Sequence, residues 1–160
     1  MKAAVCSMEL DSRQWNEVSD MTIYTEEFRV ERGNFQEAGS ASSKIKRTLK
    51  KMGISPAIIR EVAISSYELE LNLVIHSLGG TLKLSIDGSQ LLIISEDMGP
   101  GIGDIELVMQ EGYSTASESV RAMGFGAGMG LPNIKRHSHE FSIESELNKS
   151  TRIVAKYNLI

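Results

Sequence analysis

The stretch Thr81-Leu82-Lys83-Leu84-Ser85-Ile86-Asp87-Gly88-Ser89-Gln90-Leu91-Leu92-Ile93-Ile94-Ser95-Glu96-Asp97 decides how the rest of the chain is read. Leu82, Leu84 and Ile86 alternate with polar residues, which predicts a strand with one buried face. Gly88-Ser89 supplies a turn, and Gln90 to Ser95 is apolar on both faces, so a second strand returns beside the first. Two strands joined by so short a turn must pair antiparallel.

Working outward from this hairpin, helices come before it and a long glycine-rich segment after it. Phe35 to Met52 reads as a helix closed by Gly53 in the position just past its end. Ser55-Pro56 opens a second helix, with Ser as cap and Pro in the first turn. Its apolar face carries Ile59, Val62, Ala63, Leu69, Leu73 and Ile75, and Gly79-Gly80 ends it. Thr22 to Val30 has a strand pattern ahead of both helices. Residues 1–20 are polar with little periodicity and read as an N-terminal extension, a mobile tail, which leaves 21–160 as the domain. Beyond Asp97, the chain to Leu131 is rich in Gly and Ser, with a short helix expected over Ile105 to Gln110. A third main helix is predicted from Leu131 to His137, then two strands, Glu140 to Glu146 and Thr151 to Tyr157. Hairpin-linked strands with helices gathered between them predict an α+β sandwich whose helices cover one sheet face.

Bulk properties narrow the function classes. The 160 residues are 41% hydrophobic and 24% charged, the profile of one globular domain. A net charge of −4 argues against nucleic acid as a partner. Lys44, Lys46, Arg47, Lys50 and Lys51 cluster at helical spacing, and a solvated helix face is the plainer reading. Cys6 is the single cysteine, so no intrachain disulfide can form, which fits a reducing compartment. The longest strictly apolar run is about four residues, far short of the roughly 20 that span a bilayer. A cytoplasmic protein without a membrane segment is the expectation.

Three segments carry chemistry. Glu68, Asn72 and His76 are spaced four apart, so a carboxylate, an amide and an imidazole share one stripe of the second helix. Such groups either meet solvent or something polar, because burial without partners is costly. Asp97-Met98-Gly99-Pro100-Gly101-Ile102-Gly103-Asp104 follows the most apolar strand and sets a carboxylate beside bare backbone. A carboxylate there can accept from an exocyclic amine, and glycine lets a flat ring approach the chain. Gly124-Phe125-Gly126-Ala127-Gly128-Met129-Gly130-Leu131 runs into the third helix, offering backbone N–H groups to phosphates. No glycine is followed by lysine, which excludes a Walker-type loop, and the glycine spacing is not the dinucleotide fingerprint.

In order and spacing these segments resemble the motifs of the GHKL ATPase superfamily. Glu68-x-x-x-Asn72 resembles the N box, Asp97-x-Gly99-x-Gly101 the first glycine box, and Gly126-x-Gly128-x-Gly130-Leu131 the second. The resemblance spans about residues 22–158 and implies the Bergerat, histidine-kinase-like ATPase fold: a two-layer α/β sandwich with a mixed, mainly antiparallel sheet. It further implies ATP and Mg2+ as cofactors. Asn72 would hold Mg2+, Glu68 would be the general base, and Asp97 would bind the adenine amine with Gly99, Gly101 and Ile102 beside it. Gly124, Gly126, Ala127, Gly128, Met129, Gly130 and Leu131 would wrap the phosphates, and Thr151 would join the adenine contacts. Residues 104–123 would form a lid, with Ser114 and Thr115 as hydrogen-bonding loop residues.

Within the superfamily the short format is most similar to the bacterial anti-sigma-factor serine kinases, with Gly112-Tyr113-Ser114-Thr115 nearest the RsbT-like branch. The implied function is phosphorylation of a Ser or Thr on a partner protein, a STAS anti-anti-sigma domain, with a sigma factor as a further partner and a homodimer allowed. The alternative is an ATP-dependent module that sequesters its partner with little or no transfer. Ser150-Thr151 replaces the family's usual Gly-Thr, and His139 stands where an Asp is usual. Glu70 points about 200° round the helix from Glu68 and is not expected in the site. His137 and His139 read as surface residues, not as metal ligands.

Overall fold

The computed structural model describes residues 4–7 and 23–160. Its elements run β1 (Ala4–Ser7), β2 (Tyr24–Val30), α1 (Ser40–Lys51), α2 (Pro56–His76), β3 (Gly80–Ile86) and β4 (Gln90–Asp97). They continue with α3 (Ile105–Val108), α4 (Glu118–Ala122), α5 (Gly130–Arg136), β5 (Glu140–Ser145) and β6 (Thr151–Asn158). The strands form one sheet in the order β1-β5-β6-β4-β3-β2.

The α+β sandwich is as expected, but the sheet is not mixed. Every neighbouring pair among the described strands is antiparallel. The reason lies in the return from the helices: β4 and β5 run the same way, but β6 inserts between them and runs against both. A second departure concerns the N-terminal extension. Ala4–Ser7 pairs with β5, Ala4 opposite Ser145 and Ser7 opposite Ser142, so part of that segment is an edge strand. The rest of the expected extension lies outside the described residues.

Strand alternation builds the core. Leu82, Leu84, Leu91, Ile93, Ile143, Ala155 and Tyr157 are fully buried in one cluster with Ile45, Leu49, Val62, Leu69 and Ile134 from the helices. Each large apolar side chain so buried contributes about 2 kcal/mol against solvent. Leu92, Ile94 and Val154 form a separate cluster, which explains why β4 is apolar at both alternations.

Local signals place the helix ends where they are strong. Ser55 Oγ accepts from the Ile58 N–H at 3.4 Å, with Pro56 in the first turn of α2. Past α1, Gly53 (φ 74°) donates to Lys50 O and Ile54 to Leu49 O, a Schellman closure. The α1 start differs from expectation: residues 35–39 form turns, and Gly39 stands at the cap without a side-chain bond. Its first N–H groups are met instead by Glu70, which accepts from Ala41 at 3.1 Å and Ser42 at 2.9 Å.

Candidate functional site

Helix α2, the β4 end, the 104–123 segment and the glycine loop before α5 enclose a cavity of about 590 Å3. All but one of the residues singled out from sequence line it. Glu68, Asn72, Asp97, Gly101, Ile102, Thr151 and the run Gly124–Leu131 are all on its wall. Gly99 is not. It is buried behind the wall, and its N–H donates to Asp97 Oδ1 at 2.9 Å. Its N–H thus helps to fix the Asp97 carboxylate.

Asp97 ends β4 and its hydrogen bonds both fall on one oxygen. Oδ1 accepts from Gly99 N–H and, at 2.8 Å, from Thr151 N–H. The other oxygen stays available to the cavity. Burial raises the Asp97 pKa above 3.8, and the two N–H donors oppose that rise. Thr151 reaches this corner through its backbone, while its hydroxyl is paired with Ser145 Oγ at 2.6 Å. Ser145 Oγ in turn accepts from Ile102 N–H at 2.8 Å, so the strand end and the glycine turn are stitched together. Gly101 (φ 80°) could not carry a side chain: a Cβ there would lie 2.9 Å from Lys149 O. Ser150 stands before Thr151 without a positive φ, and in the same turn Asn148 takes a φ of 64°.

At the other end, Glu68 and Asn72 project from successive turns of α2 toward the start of α5. A Cβ at Gly130 would sit 3.1 Å from Glu68 Oε2 and 3.4 Å from Asn72 Oδ1, so both groups converge on this glycine. Glu68 Oε1 accepts from Asn133 Nδ2 at 3.3 Å, a partner that no sequence spacing indicated. His76, the third member of the stripe, lies exposed at the cavity mouth, with Nδ1 3.2 Å from Thr115 Oγ1. Crowding by the cavity wall lowers its pKa below 6.5, so the ring is neutral at pH 7.

The lid segment is folded over this space. Gly112 N–H donates to Gly128 O at 2.9 Å, Arg121 donates to Ser114 O, and Ala116 N–H donates to Ser114 Oγ. Helix α4 within it was not anticipated; Ser117 caps it by accepting from Val120 N–H. Ile105 of α3 is buried in the core, so the segment is anchored at its first end.

Residues away from the cavity separate cleanly. Glu70 is 2% exposed and faces α1. His137 Nδ1 lies 2.6 Å from Glu61, and His139 Nδ1 accepts from Asn158 N–H. Among the described residues no group of three His, Cys, Asp or Glu is placed to hold a metal. Sequence reading missed Ile75, Leu107, Phe125 and Ile153 on the cavity wall. Two of these carried a signal: Ile75 stands beside His76 on α2, and Phe125 lies inside the glycine run 124–131.

The lining divides chemically. Asp97 with Ile102 and Ile153 can take a flat ring bearing an amine, with hydrogen-bonding and apolar contact together. Asn72 oxygen and the glycine backbone can take phosphate oxygens and a hard cation, which prefers oxygen ligands and retained water. The residues present thus fit magnesium–ATP.

No family model matches the chain. It is 33% identical over 110 residues to the serine/threonine-protein kinase RsbT of Bacillus subtilis (strain 168), 66% of this chain and 77% of that protein. It is 32% identical over 106 residues to an anti-sigma F factor of Clostridium kluyveri, 66% of each chain. An anti-sigma F factor of Thermoanaerobacter sp. (strain X514) is 32% identical over 108 residues, 67% of each. Among solved structures, the SiaB-SiaC complex of Pseudomonas aeruginosa aligns with a TM-score of 0.53 over 91% of this chain and 95% of that one. At 12% identity that likeness concerns the fold alone.

Proposed function

Because the chain belongs to the RsbT and anti-sigma F factor family of GHKL proteins, we propose that it is an ATP-binding anti-sigma-type regulator that phosphorylates a Ser or Thr of a partner protein. The observation that carries this reading is the convergence of Glu68 and Asn72 on Gly130, at one end of a cavity whose other end presents the free oxygen of Asp97.

Each residue has a derivable task. Asp97 accepts from the adenine amine through the oxygen that the backbone leaves open, and Ile102 and Ile153 flank the ring. Asn72 supplies its side-chain oxygen to Mg2+, and the glycine run Gly124–Gly130 cradles the phosphates with backbone N–H groups. Magnesium held there would neutralise charge on the phosphate oxygens. Glu68 accepts the proton of the attacking hydroxyl as its oxygen bonds to the terminal phosphorus and ADP leaves. The lid, held shut by Gly112, excludes water that would compete with that hydroxyl. The protein substrate in this reading is a STAS anti-anti-sigma domain, and the protein works in the cytoplasm. Among the described residues no helix is long and apolar enough to cross a membrane.

Calorimetry with ATP, with and without Mg2+, tests the pocket. Wild type should bind, Asp97→Asn should lose about tenfold or more in affinity, and Asn72→Ala should lose the Mg2+ dependence alone. No binding by wild type would end the kinase reading. Binding without any phosphate transfer to a STAS partner would favour the sequestering module.

A further inference from the structure

We infer that Asn133 is a positioning residue for the Glu68 base, and that Arg136 and Glu111 couple it to the closed lid; this rests on the kinase reading above. Asn133 lies on α5, one turn past Gly130, and its side chain is held from two sides. Nδ2 donates to Glu68 Oε1 at 3.3 Å, while Oδ1 accepts from Arg136 Nη1 at 3.4 Å. The two partners select the same amide orientation, because a carboxylate can only accept and a guanidinium can only donate. Arg136 then pairs through Nη2 with Glu111 Oε1 at 2.5 Å. Glu111 belongs to the lid and precedes Gly112, whose N–H is bonded to Gly128 O. A continuous line therefore joins the base on α2, the first helix after the glycine loop, and the lid.

The line does two things. On the base, Asn133 occupies Oε1, which leaves Oε2 turned to the cavity beside Gly130 as the oxygen that takes the proton. A carboxylate free to rotate about its last torsion would present that oxygen only part of the time. On the lid, the Arg136–Glu111 pair is more than half exposed on both sides, so it is weak and breaks readily when the lid opens. Opening removes Glu111 from Arg136, so the guanidinium that holds the Asn133 amide loses its own anchor and Glu68 loses part of its orientation. Full alignment of the base thus coincides with a shut lid.

The test compares wild type with Asn133→Ala, Asn133→Asp, Arg136→Met and Glu111→Gln. Phosphate transfer from Mg-ATP to a STAS-domain protein, followed with γ-labelled ATP, gives kcat and KM, and hydrogen exchange across residues 104–123 reports the lid, with the β4 and β6 strands as the check on folding. Asn133→Ala should lower kcat about tenfold with KM for ATP within about twofold, since a general base is worth about a hundredfold or more. Asn133→Asp has the same shape but no donor, and sets a like charge against Glu68. It should lower kcat further, about a hundredfold. Arg136→Met and Glu111→Gln should raise lid exchange severalfold and lower kcat about threefold. Wild-type kcat in Asn133→Asp would overturn the inference, as would a KM rise without loss of kcat in Asn133→Ala. If wild type neither binds nor turns over ATP, the kinase reading falls separately. Lid exchange then decides the coupling, and exchange unchanged in Arg136→Met and Asn133→Asp sinks it.

Discussion

Two sides of α2 put the same residue type to opposite uses. On the cavity side, Glu68 is half-buried, bonded to one side-chain amide and open on its second oxygen. On the α1 side, Glu70 is 2% exposed, and each of its oxygens accepts a backbone N–H from the first turn of α1. Two residues of helix separate them, or about 200° of rotation. A carboxylate whose lone pairs are taken up by a helix end is structural, because a helix N-terminus favours negative charge and lacks partners of its own. A carboxylate held by one partner is left able to react.

The largest expected effect breaks the structural side of this comparison. Glu70→Ala strands two buried N–H groups and should cost about 3 kcal/mol, lowering the melting temperature by roughly 10 °C. Thermal unfolding followed by circular dichroism measures it; a shift below about 3 °C would show that α1 finds other caps.

Glu68→Gln probes the reactive side and should do the reverse. Phosphate transfer should fall about a hundredfold, with melting and ATP affinity close to wild type. A stability loss comparable to that of Glu70→Ala would erase the distinction between the two faces.

Asp97→Asn sharpens the same rule at a third carboxylate. Burial raises the folded pKa above 3.8, so the stability this group contributes is complete below 3.8 and lost as pH rises through the folded value. At pH 7 the charge is a net cost to folding. The apo variant should therefore melt at or slightly above wild type at pH 7, although it binds ATP more weakly. Melting curves at pH 7 and at about pH 4 check the sign: any gain should shrink toward acid.

The smallest effect is expected from Gly130→Ala, whose added methyl would press on Glu68 Oε2 at 3.1 Å. The carboxylate can give by a few tenths of an ångström, so kcat should fall only about threefold, with no change in melting. Unchanged kcat would mean that the close approach leaves the base unaffected.

Much of this site was legible before folding was considered. Glu68, Asn72 and His76 are four apart, and the structure does line them along one wall. The glycines of residues 124–130 read as a loop that bares its backbone, and they surround the cavity. Gly99 lies behind the wall, where its N–H bonds the Asp97 carboxylate, a placement that motif spacing did not specify. The mixed sheet was also misjudged, because the place of β6 between β4 and β5 depends on pairing that alternation alone does not encode.

What the sequence determined by itself is periodic and local: the strand alternations, the Ser55-Pro56 helix start, the Gly53 stop and the stripe on α2. Those features follow from contacts between residues a few positions apart, so their spacing is written in the chain. Only the tertiary structure decided which partner each polar group received. Glu70 caps a helix 28 and 29 residues earlier, Glu68 meets Asn133 65 residues later, and Thr151 meets Asp97 across 54. Such pairs form because packing buries the groups together and an unpaired buried donor or acceptor is costly, and no local spacing carries that information.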